Sequence, residues 1–73
     1  MKYTKEAADF LVYCIEMYKN KYSLSGKETQ ALFEQTGADI YILDSFKALH
    51  TTGVEYTLQD IYDFIQEKKK LTD

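Results

Sequence analysis

The feature that most restricts how this chain can fold is the absence of proline from its 73 residues, which contain only three glycines. Gly26, Gly37 and Gly53 divide the chain into four stretches, and apolar residues recur in each stretch at helical rather than alternating spacing. At this length roughly 60% of the unfolded chain's surface becomes buried, enough for one small core. The sequence therefore predicts an all-α fold, a compact three- to four-helix domain over residues 1–73.

The first stretch predicts the longest helix, from Lys5 to Lys21, with Thr4 as its N-cap. Apolar residues follow one face of this helix, which should be buried. They are Ala7, Phe10, Leu11, Cys14, Ile15, Met17 and Tyr18.

A second helix is predicted over residues 26–36, because Ser25 and Glu28 form an S-x-x-E capping box. Its end is predicted at Gly37, which can adopt the left-handed conformation. The apolar residues expected on this helix are Ala31, Leu32 and Phe33.

A third helix is predicted to begin at Asp39 as its N-cap and to continue through Leu49. After Gly53, the short, β-favouring run of residues 54–56 predicts an extended connector before the last helix. Thr57 is expected to cap that last helix. Its buried stripe should contain Leu58, Ile61, Tyr62 and Ile65.

Charge in this chain disfavours binding to nucleic acid. The formal net charge is -3, and residues 23–67 carry two lysines against eight acids, a balance of -6. Arginine is absent, so bidentate recognition of phosphate or guanine is excluded. A helix-turn-helix regulator of DNA stays as an alternative, because a short glycine-containing turn joins the second and third helices. The acidic start of the third helix, at Asp39 and Asp44, weakens that alternative.

The chain offers few groups for catalysis or metal binding. A single cysteine, Cys14, excludes an internal disulfide, and one histidine supplies no second imidazole for zinc. Cys14 is predicted to be a small buried side chain rather than a reactive thiol. A Gly-Lys pair at residues 26–27 lacks the upstream glycine and strand of a phosphate loop. We therefore predict no catalytic residue, no cofactor and no metal, and a protein that is not an enzyme.

One local run, residues 49–53, combines an imidazole, two hydroxyls and a glycine at the end of a helix. His50 there is a general base only if a second reactive group meets it, and no such group is evident. A structural turn explains the run best, and a turn that contacts a partner is the next interpretation. Thr51 and Thr52 belong to the same candidate surface.

Tyrosines are the other candidates for contact with a partner. The chain has seven tyrosines, a residue type that is enriched at protein interfaces. Val12 and Tyr13 project from the polar side of the first helix, and Ile40 and Tyr41 are expected to do the same on the third. Isolated exposed apolar residues are also normal on a protein surface, so this pattern has two interpretations.

No apolar run approaches the ~20 residues that span a bilayer. Residues 1–9 lack the apolar region and the small-residue cleavage site of a signal peptide. These features predict a cytoplasmic protein without a membrane segment.

Three motifs resemble a family of short bacterial domains of unknown function. They are L-V-Y-C-I-E at residues 11–16, L-S-G-K-E at 24–28 and L-H-T-T-G at 49–53, and the resemblance extends over residues 10–65. It implies a gene that often lies beside one for an ADP-ribosyltransferase-like protein, as in a toxin–antitoxin pair. The chain would then be an antitoxin-like or accessory partner of that protein.

Together these observations predict a non-enzymatic protein-interaction module. Its partner-binding residues are predicted to be Val12, Tyr13, Tyr41, His50, Thr51 and Thr52. Self-association as a symmetric dimer is a further possibility, because a core of this size is marginal by itself.

Overall fold

A computed structural model describes residues 3–72, which contain five helices and no β-strand. The helices are α1 (Lys5–Lys21), α2 (Gly26–Thr36), α3 (Ala38–Asp44), α4 (Phe46–Leu49) and α5 (Val54–Thr72). The predicted all-α fold is confirmed. The prediction of one domain over 1–73 includes Met1, Lys2 and Asp73, which lie outside the described residues.

Helix α1 has the predicted bounds and packs against α2, α3 and α5. The Thr4 hydroxyl accepts a hydrogen bond from the Ala7 N–H at 3.1 Å, which satisfies one of the unpaired donors at the helix start. The predicted apolar face is the buried one: Ala7, Cys14 and Tyr18 are inside, and the other apolar members pack around them. Burial of this face joins α1 to the rest of the bundle.

Helix α2 begins with the predicted capping box. The Glu28 N–H donates to the Ser25 hydroxyl at 3.0 Å, and the Ser25 N–H donates to the Glu28 carboxylate at 2.9 Å. The buried residues of α2 are Thr29 and Phe33. Ala31, one of the apolar residues expected on this helix, is exposed. Thr29 can be buried because its hydroxyl donates to the Ser25 carbonyl at 2.9 Å.

The third predicted helix is two helices. Gly37 adopts the predicted left-handed conformation, with φ +80°, and α3 begins immediately after it at Ala38, so Asp39 is not the N-cap. Ser45 separates α3 from α4, although the Leu49 N–H still donates to the Ser45 carbonyl at 2.8 Å. The apolar positions of both helices keep the predicted face, with Ile42 and Leu49 buried.

The predicted extended connector is wrong, because residues 54–56 form the first turn of α5. Thr57 is correspondingly not an N-cap. It lies within the first turns of α5, its side chain is buried, and its N–H donates to the Gly53 carbonyl at 3.0 Å. Its hydroxyl lies 3.4 Å from the Leu49 carbonyl oxygen, across the turn that follows α4. Tertiary packing thus overrides the weak strand preference of three residues.

The core is formed by large apolar side chains and includes an aromatic contact between α1 and α2. Phe33, Ile42, Ile61 and Ile65 are fully buried, and the edge of one aromatic ring meets the face of another between Tyr18 and Phe33, whose centroids are 5.2 Å apart. The predicted buried stripe of α5 is confirmed, with Tyr62 at its edge.

Helix α3 is attached to α5 through Tyr41. The Tyr41 ring stacks on Phe64 with centroids 4.3 Å apart, and its hydroxyl donates to the Asp60 carboxylate at 2.6 Å. The expectation that Tyr41 projects from a polar surface is therefore wrong; it is half-buried against α5. The hydrogen bond to Asp60, followed by burial and the carboxylate charge, raises the pKa of Tyr41 to about 12.

We expect Gly37→Ala to lower the free energy of unfolding by about 1–2 kcal/mol, the cost of a left-handed conformation for a residue with a Cβ. An added Cβ meets nothing within 4 Å at this position, so backbone strain accounts for the loss. Gly26→Ala is the matched control: it adds an ordinary 3.9 Å contact with Lys19 at negative φ and should not destabilise the chain. Equal losses for both variants in urea unfolding would contradict this account.

The contribution of the Tyr41–Asp60 hydrogen bond to stability should depend on pH at the alkaline end. The folded pKa, about 12, lies above the ordinary value of 10.0, so the contribution is complete below pH 10 and is lost as the pH rises towards 12. Unfolding midpoints measured across this range should converge for the wild type and Tyr41→Phe. A constant difference between the two proteins would show that Asp60 does not act through the phenol proton.

Candidate interaction site

A pocket of about 150 Å³ opens between α1, the turn after α4 and the first two turns of α5. Its lining combines apolar and polar side chains and includes no carboxylate, ammonium or guanidinium. The lining residues are Phe10, Tyr13, Cys14, Met17, His50, Thr52, Val54, Thr57 and Leu58. We call this the α1–α5 pocket.

The His50 imidazole is held in one orientation on the rim of the pocket. Its ring stacks on Phe46 with centroids 4.5 Å apart and an interplanar angle of 22°. The Nδ1 atom lies 2.7 Å from the Phe46 carbonyl oxygen. A carbonyl oxygen only accepts hydrogen bonds, so Nδ1 carries a proton and Nε2 is the acceptor of the neutral ring.

The two threonines after His50 both donate hydrogen bonds to a main-chain carbonyl at the end of α4. The Thr51 and Thr52 hydroxyls each lie 3.1 Å from the Ala48 carbonyl oxygen and donate to it. Both side chains are exposed, but only Thr52 lines the pocket. The interpretation of this run as a helix-terminating turn is supported by these bonds, and the same bonds orient the polar groups of the pocket.

The predicted contact residues are not all brought together. Tyr13, His50 and Thr52 line the α1–α5 pocket, while Val12 and Thr51 are neighbours of lining residues in the chain. Val12 is 64% exposed and Tyr13 48% exposed, as expected for projecting side chains. Tyr41 does not line the pocket; its contacts are with Asp60 and Phe64 on α5.

Six of the nine lining residues were not among the predicted contacts: Phe10, Cys14, Met17, Val54, Thr57 and Leu58. Phe10, Cys14 and Met17 were expected on the buried face of the first helix, Thr57 as an N-cap, and Val54 in an extended connector. Leu58 was expected to be buried, which it is, but its contact with the pocket depends on where α5 begins. No local signal places the start of α5 at Val54, because its first turn is held by tertiary contacts.

A second hollow, of about 240 Å³, is more open and lies between the start of α1 and the α3–α4 junction. The Tyr3 hydroxyl donates to the Asp44 carboxylate at 2.6 Å beside it. That bond connects the segment before α1 to α3, so the hollow is best explained as part of the packing of these elements.

Cys14 is 1% exposed at the base of the α1–α5 pocket, as predicted for a buried side chain. Burial raises its pKa from 9.0 to about 12. The thiol is therefore protonated at neutral pH, and a protonated thiol is a poor nucleophile and metal ligand.

Within residues 3–72, no group of three or more His, Cys, Asp and Glu side chains is arranged to hold a metal ion. None of the helices in the same range has the length and apolar character needed to cross a membrane.

The helix-turn-helix alternative meets a geometric difficulty. The helix after the Gly37 turn, which would have to contact the DNA bases, is only seven residues long and ends at Asp44. Asp39 lies in its first turn and Asp44 at its end. DNA binding stays only the alternative to a protein-interaction module, and the sign of these charges opposes it.

We expect the Cys14 thiol of the folded protein to react with an aromatic disulfide reagent at least about tenfold more slowly than in urea. Burial raises the pKa of the thiol to about 12, which lowers the fraction present as thiolate, and it also blocks access of the reagent to the sulfur. Reaction at comparable rates in both conditions would contradict the buried assignment. Release of the chromophore gives both rates directly.

Comparison with known proteins identifies a family and does not give an activity. No curated protein matches the chain. No solved structure matches it either. A family model described as "Protein of unknown function (DUF3791)" matches residues 9–68, most of the chain, and the chain therefore belongs to that family.

Proposed function

We propose that this chain is a non-enzymatic module that binds another protein through the surface around the α1–α5 pocket. We call this surface the contact surface and define it by Val12, Tyr13, His50, Thr51 and Thr52. The observation that carries the proposal is the position of the two exposed apolar side chains of α1 beside an open, partly apolar pocket. Exposed apolar groups next to a concavity are a common feature of protein interaction sites.

The chemistry of the pocket supports binding rather than catalysis. The Nδ1 atom of His50 is occupied by a main-chain carbonyl, and no carboxylate lines the pocket to accept or relay a proton. The Cys14 thiol at its base is protonated because its pKa is about 12. Nucleophilic catalysis by a cysteine requires the thiolate, and the raised pKa of Cys14 opposes its formation.

The partner proposed first is an ADP-ribosyltransferase-like protein, for which the chain would be an antitoxin-like or accessory partner. This part of the proposal depends on the resemblance of the L-V-Y-C-I-E and L-H-T-T-G motifs described above. Both motifs contribute residues to the contact surface, namely Val12, Tyr13 and residues 50–52. Tyr41 stays a predicted contact, although its hydroxyl is already bonded to Asp60.

We expect Tyr13→Glu to weaken binding of the partner at least tenfold, because a buried, unpaired carboxylate at an interface costs more than an aromatic contact contributes. Leu71→Glu is the matched control, since Leu71 is a 73% exposed apolar residue near the end of α5. It should leave affinity within about twofold of the wild type.

The partner is first identified by affinity purification of the tagged full chain from its native host. Binding constants are then measured with both purified proteins by titration calorimetry. Recovery of no reproducible protein partner, or equal affinity of wild type and Tyr13→Glu for every partner recovered, would overturn the proposal.

A further inference from the structure

The polar side chains of the α1–α5 pocket share a property that the proposed function does not require. His50, Thr52 and Thr57 each have their donor hydrogen directed to a main-chain carbonyl of α4 or of the turn after it. The Nδ1–H of His50 is bonded to the Phe46 carbonyl at 2.7 Å, and the Thr52 hydroxyl to the Ala48 carbonyl at 3.1 Å. The Thr57 hydroxyl lies 3.4 Å and 3.5 Å from the Leu49 and Thr52 carbonyls.

Because their donor hydrogens are used, these three groups can only accept hydrogen bonds from a ligand. A threonine hydroxyl has one donor hydrogen and two acceptor sites, and a neutral imidazole with a proton on Nδ1 is an acceptor at Nε2. The Cys14 thiol is only a weak donor, and the Tyr13 phenol can donate or accept. A ligand group that donates a hydrogen bond therefore matches the pocket better than a group that only accepts.

The size and walls of the pocket restrict the ligand further. A volume of about 150 Å³ accommodates one six-membered ring, as engineered cavities of this size do with benzene. Phe10 and Tyr13 offer aromatic surfaces, and the Met17 thioether makes favourable contacts with ring edges. No lining side chain carries a formal charge when His50 is neutral, so a charged ligand would lose hydration without a counter-ion.

We propose that the α1–α5 pocket binds a phenol ring, and that its occupant in the complex is a tyrosine side chain of the partner protein, which donates its hydroxyl proton to the acceptors at His50 and Thr52. The inference rests on the proposed function, because it names the group by which the partner is recognised. A tyrosine combines the ring, the neutral charge and the single donor that the pocket requires.

The test uses the isotope-labelled full chain at pH 8 and follows its amide resonances by NMR. The probes are p-cresol, which has the tyrosine side-chain group, toluene, which lacks the hydroxyl, and 4-methylanisole, which accepts but cannot donate. We expect p-cresol to shift resonances of the pocket lining and to bind at least about fivefold more tightly than the other two, the value of one net hydrogen bond. Equal affinities for the three probes, or shifts confined to other residues, would overturn the proposal.

Two threonines provide a matched pair of variants. Thr52 and Thr36 each donate a hydroxyl to the main-chain carbonyl four residues earlier, but only Thr52 lines the pocket. Thr52→Val should lower the affinity for p-cresol severalfold and leave that for toluene unchanged, whereas Thr36→Val should alter neither. Equal effects of the two variants on p-cresol binding would show that the Thr52 hydroxyl acts only on the fold.

A second variant separates the role of the imidazole from folding. His50→Leu keeps an apolar side chain but removes the acceptor, so it should abolish the preference for p-cresol over toluene while toluene still binds. Circular dichroism and the amide spectrum establish that the variant is folded. A preference that survives in this folded variant contradicts the assigned acceptor.

The source of the phenol is tested with acetyl-Gly-Tyr-Gly-amide and its phenylalanine counterpart. Displacement of p-cresol by the tyrosine peptide, and weaker displacement by the phenylalanine peptide, supports a tyrosine of the partner as occupant. Binding of p-cresol without any displacement by the peptide would overturn that part of the proposal and indicate a free phenol instead. None of these measurements uses the partner, so a failure here leaves the Tyr13→Glu test of the proposed function intact.

Discussion

Burial of the apolar face of α1 is the interaction on which the rest of this structure depends. α1 packs against three of the other helices, and a chain of this length has only one core to share among them. Each large apolar side chain that is fully buried contributes about 1.5–3 kcal/mol, so a few of them decide whether the bundle forms. Phe33, Ile42 and Ile61 reach the same core from α2, α3 and α5.

The turn between α4 and α5 has two effects that come from the same hydrogen bonds. The Thr51 and Thr52 hydroxyls both donate to the Ala48 carbonyl at the helix end, and His50 donates from its Nδ1 to the Phe46 carbonyl, which also accepts the His50 main-chain N–H. Because these donors are used within the turn, the groups that border the pocket retain their lone pairs. The hydrogen bonds that end α4 therefore also make the polar groups beside the α1–α5 pocket acceptors rather than donors.

The net charge of the protein and the chemistry of its pocket affect the binding of different partners. The net charge of -3 and the acids of the central segment disfavour approach to nucleic acid over the whole surface. The α1–α5 pocket, by contrast, is lined by no carboxylate and no ammonium group, and the proposed preference for a phenol depends on its volume and its acceptor groups. An acidic protein with a neutral concavity is consistent with recognition of a protein surface through a single anchored side chain.

The sequence by itself determined the helices whose signals are local. Thr4, the Ser25–Glu28 capping box and Gly37 each act on backbone groups within a few residues, so the bounds of α1 and α2 and the apolar face of α1 were predictable. The helical start of α5 at Val54 and the half-buried position of Tyr41 depend on residues distant in the chain. Tertiary structure alone decided them, because packing against α1 and α5 outweighs differences in local propensity of less than about 1 kcal/mol. The pocket belongs to that second class: its lining comes from three separate segments, and only their packing brings Tyr13 and Thr52 to one site.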